Sequence, residues 1–285
     1  MERAFTGIDH AVIVVHDLDA AAASFERLGF VVTPKSGHPE LGSENRCIIM
    51  HGDYIELLCP GDHPETRYFK DFLAEREGMA ALAARSTDIE RTRTLLARQN
   101  LKVRDTLSFS RPLTLANGDE DVARFSAGML EPGQTEGFTL FGCQHHTADL
   151  VWSKGYEHHA NQAERMSAIL FATENVPRSG RLFERYFDTM ARGGQHDSLE
   201  LKTGDVPVFV IPCTRLEERY PGVTGHLTKT GFIGLSIQVM DIAETARVLT
   251  ANGVPFSGGS ALHLLVAPAY AHGVMIEFYS NANKL

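Results

Sequence analysis

The strongest constraint on this 285-residue chain is that it repeats itself. The first unit opens with a β-branched apolar strand over residues 8–15. A helix follows, with Asp17 placed to cap it and Gly29 to end it. Strand-like runs then cover residues 30–32, 46–50 and 53–58, so the order is βαβββ. A second copy aligns Asp88 with Asp17, Ile89 with Leu18 and Val103 with Val32. It reads as a strand over 79–85, a helix over 89–98 and strand material up to 138–141. Its excursion over 114–136 contains Asn117-Gly118-Asp119 and Glu131-Pro132-Gly133, turn signals that predict hairpins. A further copy near the end aligns Asp241 with Asp17 and Gly253 with Gly29. Its last strand, His272-Gly273-Val274-Met275-Ile276-Glu277-Phe278, matches His51-Gly52-Asp53-Tyr54-Ile55-Glu56-Leu57 at four positions of seven. Between them lies a weaker copy: strand 167–172, helix about 180–190, strands 198–202 and 206–211. Its helix is introduced by Val176-Pro177-Arg178-Ser179, where proline suits a first turn. Repeats on this scale decide a fold. The expectation is an α+β chain of four βαβββ modules, with modules one and two over 1–152, a connection over 153–164, and modules three and four over 165–285.

Composition narrows the function. At 43% hydrophobic, the chain can fill one large core or two medium ones. A formal net charge of -9 and the lack of any Lys/Arg run argue against nucleic acid as a partner. No apolar run approaches the roughly twenty residues of a membrane span, and no signal-peptide pattern is seen. Cys47, Cys59, Cys143 and Cys213 form no CxxC pair and read as reduced thiols of a cytoplasmic protein. Walker A, GxGxxG, GxSxG and HExxH motifs are absent, which removes most nucleotide-dependent, serine-hydrolase and zincin readings.

Four βαβββ copies resemble the vicinal oxygen chelate superfamily, the glyoxalase, bleomycin-resistance and extradiol dioxygenase group. The opening half is most similar to its glyoxalase-like domain branch, through His10, Gly42-Ser43-Glu44-Asn45-Arg46, Tyr54-Ile55-Glu56-Leu57 and Cys143-Gln144-His145-His146 running on to Trp152. The resemblance implies modules paired into two open mixed-sheet barrels. Each such barrel would hold a divalent metal chelated by neighbouring substrate oxygens. It also implies a small-molecule substrate, and the chain is expected to form a homodimer.

On the first strand, alternation puts Ile8, His10, Val12 and Val14 on one face; on the last strand of that module it groups Tyr54, Glu56 and Leu58. If both faces line the barrel, an imidazole and a carboxylate meet there, a pair suited to Fe, Mn, Ni or Zn. The metal candidates are therefore His10, Glu56 and Glu277. Glu277 enters this set if modules one and four pair; if modules one and two pair, Gln144 or His145 arrives instead. The partner modules break the superfamily's ligand pattern, with Ala81 and Gly234 where His10 would recur. Glu56 and His145 are the candidate acid–base residues. Arg46, beginning a strand after a Gly/Pro loop, is placed to clamp a substrate carboxylate, with Tyr54 and Trp152 as aromatic walls. Trp152 reads equally as an anchor of the linker, Arg46 as a partner for Glu44 or Glu56, and His158 and His159 as surface or capping groups. Two functions stay open: a metal-dependent lyase, isomerase or ring-cleaving dioxygenase, and a metal-free protein that sequesters a small molecule.

Overall fold

A computed structural model describes residues 3–222, 229–260 and 263–280. Module one comprises β1 (Ile8–Val14), α1 (Leu18–Arg27), β2 (Ser36–His38), β3 (Ser43–Ile49) and β4 (Tyr54–Cys59). After α2 (Arg67–Glu75), module two supplies β5 (Gly78–Arg85), α3 (Ile89–Arg98), β6 (Leu107–Thr114), β7 (Glu120–Met129) and β8 (Thr139–His145). A short α4 (Ala148–Val151) leads to module three: β9 (Ala163–Thr173), α5 (Val176–Phe187), β10 (Arg192–Gly193), β11 (Leu199–Leu201) and β12 (Val208–Pro212). Then come α6 (Leu216–Arg219) and module four: β13 (Gly231–Val239), α7 (Ile242–Ala251), β14 (Ser257–Ser260), β15 (His263–Val266) and β16 (Met275–Tyr279).

The strands form two eight-stranded mixed sheets, ordered β2-β3-β4-β1-β5-β8-β7-β6 and β10-β11-β12-β9-β13-β16-β15-β14. Module one therefore pairs with module two, and module three with module four. In each half two parallel pairs flank a central antiparallel pair, β1 against β5 and β9 against β13. The first sheet curls until its edge strands β2 and β6 approach, and the Ser36 hydroxyl donates to the Pro112 carbonyl across the seam. Among the described residues, no helix is long and apolar enough to cross a membrane.

Local signals explain the repeated helix starts. The carboxylates of Asp17, Asp88 and Asp241 each accept backbone N–H groups from the first turn of α1, α3 and α7. Gly29 follows α1 at φ +89°, and a Cβ there would lie 2.7 Å from Val248 and 2.9 Å from Asn161. In module three the helix starts earlier than its sequence suggests, at Val176, because Asn175 caps it through the Arg178 N–H. Residues 30–32 are no strand. Phe30 is buried against Phe25 and Phe278, and the Val31 N–H is spent on the His159 ring at 2.9 Å. The second strand of module one lies at β2, inside what reads in sequence as a loop.

Three apolar cores result. Inward faces of β1, β3, β4, β5, β7 and β8 fill the first barrel, around Val12, Tyr54, Phe125 and Phe141. A smaller set, including Leu170, Ile211 and Met275, fills the second. The opposite faces and the helices make one continuous core shared by both halves, with Phe25, Phe138, Phe171, Phe183 and Phe278. His159 belongs to this junction and not to the surface: it is buried, and its other ring nitrogen lies 2.9 Å from the Ile49 carbonyl.

The halves also share a buried carboxylate. Both oxygens of Asp53 lie within hydrogen-bond distance of the Met166 N–H, at 3.1 and 3.2 Å. Burial pushes its pKa up from 3.8 to about 7. The folded state thus holds this proton more tightly than the unfolded chain. The resulting stability is full below the unfolded value and is lost as pH rises through the folded one. Asp53→Asn should flatten that loss, on the order of a few kcal/mol. Thermal midpoints of both proteins at about pH 5 and about pH 8 check this. An Asp53→Asn protein that loses as much as wild type over that interval would exclude the assignment.

Candidate functional site

Strand alternation builds the site inside the first barrel. β4 turns Tyr54, Glu56 and Leu58 inward, while Ile55 and Leu57 enter the shared core. β1 turns His10 and Val12 inward. Ile8 lies instead in the shared core, because a register shift between Ile8 and His10 interrupts the alternation of β1 against β5. A cavity of about 70 Å³ remains among these side chains. His10, His38, Glu56, Arg111 and Cys143 line it, with Phe69, Phe109, Phe125 and Phe141 as aromatic walls. It shares His38 and Ser43 with a broad groove of about 590 Å³, bounded by residues 35–44 and 112–122.

Glu56 is the centre of the polar groups. Its Oε2 lies 3.9 Å from His10 Nε2 and its Oε1 lies 3.8 Å from His38 Nε2. The Asn45 amide donates to Oε1 at 2.6 Å. Burial alone would raise the Glu56 pKa, but His38, His10, the Asn45 hydrogen bond and Arg111 outweigh it and hold the carboxyl below its ordinary value. His38 is lowered to about 4, chiefly by burial, so its imidazole is neutral near pH 7.

The far side of each imidazole is anchored. His10 Nδ1 is 2.7 Å from Asp9 Oδ1, and His38 Nδ1 is 2.9 Å from Ser43 Oγ. Asp9 is fully buried; burial opposes its charge, yet hydrogen bonds from His10 and His145 hold its pKa well below the carboxylate range. An ionised carboxylate only accepts, so His10 donates from Nδ1, which leaves Nε2 as the nitrogen that faces Glu56. The ring of His10 stacks on Tyr54, with centroids 4.4 Å apart.

This donor set fits a divalent ion. Two imidazole nitrogens each face one oxygen of the carboxylate at separations too long for hydrogen bonds. Metal–ligand bonds of roughly 2.0–2.2 Å place two ligands of one ion about 3–4 Å apart. A carboxylate behind a ligating histidine is also the usual outer partner at such centres. His10, His38 and Glu56 are spread more widely, each imidazole facing its own carboxylate oxygen, whereas Asp9, His10 and Cys143 form the one group of three among the described residues whose donor atoms all lie within 4.8 Å of one another. Its chemistry is poorer: Asp9 already serves two imidazoles, and burial drives the Cys143 thiol far from ionisation.

The other candidates separate. Glu277 lies in the second barrel, because module four pairs with module three; there it bonds the Ser236 hydroxyl and sits 2.5 Å from His263 Nε2. Arg46 points away from the cavity, bonding Asp19 at 2.6 Å and the Thr33 carbonyl at 3.1 Å. Alternation on β3 sends Ser43, Asn45 and Cys47 inward and Arg46 toward α1. Gln144 caps α3 by accepting the Ile89 N–H. His145 stands behind the cavity wall, with Nε2 2.9 Å from Asp9 and Nδ1 buried without a partner. Trp152 backs it, ring to ring at 4.9 Å, and meets Tyr54 edge-on, so it braces the wall and does not form it. Three residues of the site escape sequence reading: His38 and Arg111, which line the cavity, and Asp9, which is buried behind His10. His38 stands in a Gly/Pro stretch and Asp9 within an apolar strand. Arg111 follows Leu107 and Phe109 at alternate positions of β6, a pattern that does mark an inward arginine.

The module-two counterparts of the His10 and Glu56 positions are apolar. As His10 and Val12 pair with Tyr54 and Glu56, so Ala81 and Ala83 pair with Thr139 and Phe141. Module one supplies His10, His38 and Glu56, and module two supplies Arg111, Cys143 and most of the aromatic wall.

No curated protein matches the sequence. Solved structures share the fold. A hypothetical protein from Staphylococcus aureus superposes with a TM-score of 0.70 at 13% identity, over 96% of this chain and 99% of that one. A triple mutant of 4-hydroxymandelate synthase from Streptomyces coelicolor gives 0.65 at 14% identity, over 97% and 92%. A xylose isomerase-like TIM barrel/4-hydroxyphenylpyruvate dioxygenase fusion protein gives 0.63 at 13% identity, over 100% of this chain and 50% of that one. The sequence profile of the Glyoxalase-like domain matches residues 8–187, well over half of the chain. With four βαβββ modules in two mixed sheets, the chain belongs to the glyoxalase-like domain family of the vicinal oxygen chelate superfamily.

Proposed function

We propose that the first barrel is the active site of a metal-dependent enzyme that acts on a small oxygenated molecule. His10, His38 and Glu56 would hold the ion, and its class would be a first-row divalent metal such as Fe, Mn, Ni or Zn. The observation that carries this reading is the convergence of two anchored imidazoles on the two oxygens of one buried carboxylate. When bound, such an ion supplies Lewis-acid polarisation of neighbouring substrate oxygens. The protein's own part is preorganisation. Asp9 holds the His10 tautomer and ring plane, Ser43 orients His38, and Asn45 steadies Glu56. The phenylalanine walls exclude water and strengthen every charge interaction inside. The 4-hydroxymandelate synthase and dioxygenase names among the structural neighbours are in keeping with metal chemistry of this kind.

Ala81 and Phe141 favour a second reading, a metal-free binding protein, because two positions of the superfamily's ligand pattern carry no donor here. Metal analysis separates the two. Protein purified without chelator or His tag, then offered Fe²⁺, Mn²⁺, Ni²⁺ and Zn²⁺, should retain a stoichiometric ion through dialysis. If none is retained, the binding-protein reading takes over.

A further inference from the structure

Arg111 is a buried cation with no carboxylate in contact. It is 5% exposed and lines the cavity from β6. Its one hydrogen bond among the described residues runs from a terminal guanidinium nitrogen to Cys47 Sγ at 2.6 Å, and its Nε has no partner. No ion pair within 4.0 Å joins it to a carboxylate among the described residues, and the Glu56 charge acts on it only at longer range. Cys47 does not neutralise it, since burial pushes that thiol up to about 11. The face of Phe125 lies 5.7 Å away and gives only a weak cation–π contact. A guanidinium removed from water and left unpaired is costly, and proteins keep such groups where something else completes them. Two facts define what completes this one. The free donors face a cavity with room for roughly five water-sized groups, which limits the occupant to a small molecule. The charged groups lining that space are Glu56, Arg111 and Glu65; Glu65 is paired with Arg104 at 2.6 Å and Glu56 offsets Arg111, so a divalent ion at the histidines would leave a net positive cavity.

We propose that Arg111 is the receptor for the anionic end of the substrate, and that the site takes a small carboxylate whose other oxygens lie toward His10, His38 and Glu56. The inference rests on reading the first barrel as the substrate site. A carboxylate is favoured over a phosphate because one planar fork matches two coplanar oxygens, and the cavity brings no second cation for a third.

Calorimetric titration with acetate, pyruvate and inorganic phosphate tests this, with pyruvamide as the neutral counterpart of pyruvate. Wild type should bind pyruvate, and should bind pyruvamide and phosphate at least tenfold more weakly. Arg111→Gln should lose roughly tenfold to a hundredfold in pyruvate affinity, and Arg111→Lys should recover little of it. Because Arg111 contacts no carboxylate and its one hydrogen bond runs to the Cys47 sulfur, the ligand-free Arg111→Gln variant should melt close to wild type. This separates a receptor from a structural arginine, whose loss would lower the midpoint and leave affinity unchanged. Each titration is run on chelator-treated and on metal-loaded protein. Pyruvate binding that depends on Arg111 in chelator-treated protein that takes up no metal would refute the metal reading and keep the anion receptor. No binding of either carboxylate in either state, tighter binding of phosphate, equal binding of pyruvamide, or an Arg111→Gln protein of unchanged affinity would each overturn the proposal.

Discussion

Glu56→Gln should cost the first barrel its divalent ion while leaving the fold intact. Glutamine keeps the volume and retains a carbonyl for the Asn45 amide, which donates to Glu56 at 2.6 Å. What it loses is the charge between two imidazoles. Loss of an outer-sphere partner already weakens metal binding by about 10–100-fold, and a ligand should matter more. His10→Ala and His38→Ala should behave alike, since each removes one nitrogen facing a Glu56 oxygen. Metal titration with circular dichroism as a fold control reads all three. If His38→Ala binds the ion as wild type does, while His10→Ala and Cys143→Ser do not, the centre is Asp9, His10 and Cys143, and the His10, His38 and Glu56 assignment fails.

Asp9→Asn is expected to be the most destabilising polar substitution in this barrel. The carboxylate is fully buried and accepts from His10 at 2.7 Å and His145 at 2.9 Å, with Arg85 Nε 3.7 Å away. Both imidazoles bond the same oxygen, Oδ1, so an asparagine keeps an acceptor for them but loses the charge they share and turns its N–H₂ group, at the Oδ2 position, toward the Arg85 guanidinium. Breaking a buried charge network on one side costs about 3–5 kcal/mol, which in a protein this large lowers the melting midpoint by on the order of 10 °C. The same substitution removes the charge behind His10 and loosens its tautomer, so metal affinity should fall by roughly 10–100-fold even under conditions where the variant is folded. Thermal denaturation and metal titration of Asp9→Asn read the two effects separately. A variant as stable as wild type would show that Asp9 is not the keystone of the histidine pair.

Much of the fold was legible because its signals are local. Asp17, Asp88 and Asp241 cap their helices through their own first turns, an interaction that needs no partner beyond the next few residues. Glycine 29 ends α1 for a reason equally close at hand. Period-two alternation on β4 groups Tyr54 with Glu56, and both line one cavity. Where alternation was broken or uninformative, the reading lost its hold. β3 is buried at every inward position and outward at Ile48 as well, so the run Cys47-Ile48-Ile49 does not reveal which face Arg46 takes. The bulge in β1 adds Asp9 to the neighbourhood of His10, against simple alternation.

The amino-acid sequence by itself determined four βαβββ modules, their helix caps, and an imidazole and a carboxylate at barrel-facing positions of module one. Each of these follows from neighbours within a few residues or from a repeat that can be read along the chain. Only the tertiary structure decided that module one pairs with module two. That choice sends Glu277 to the other barrel and brings Arg111 across to face Glu56. It also draws His38 inward beside them and assigns the His159 ring to the Val31 N–H instead of to solvent. These outcomes depend on which distant strands share hydrogen bonds. Sheet order is chosen by the burial of whole faces at once, a cooperative property that no local periodicity encodes.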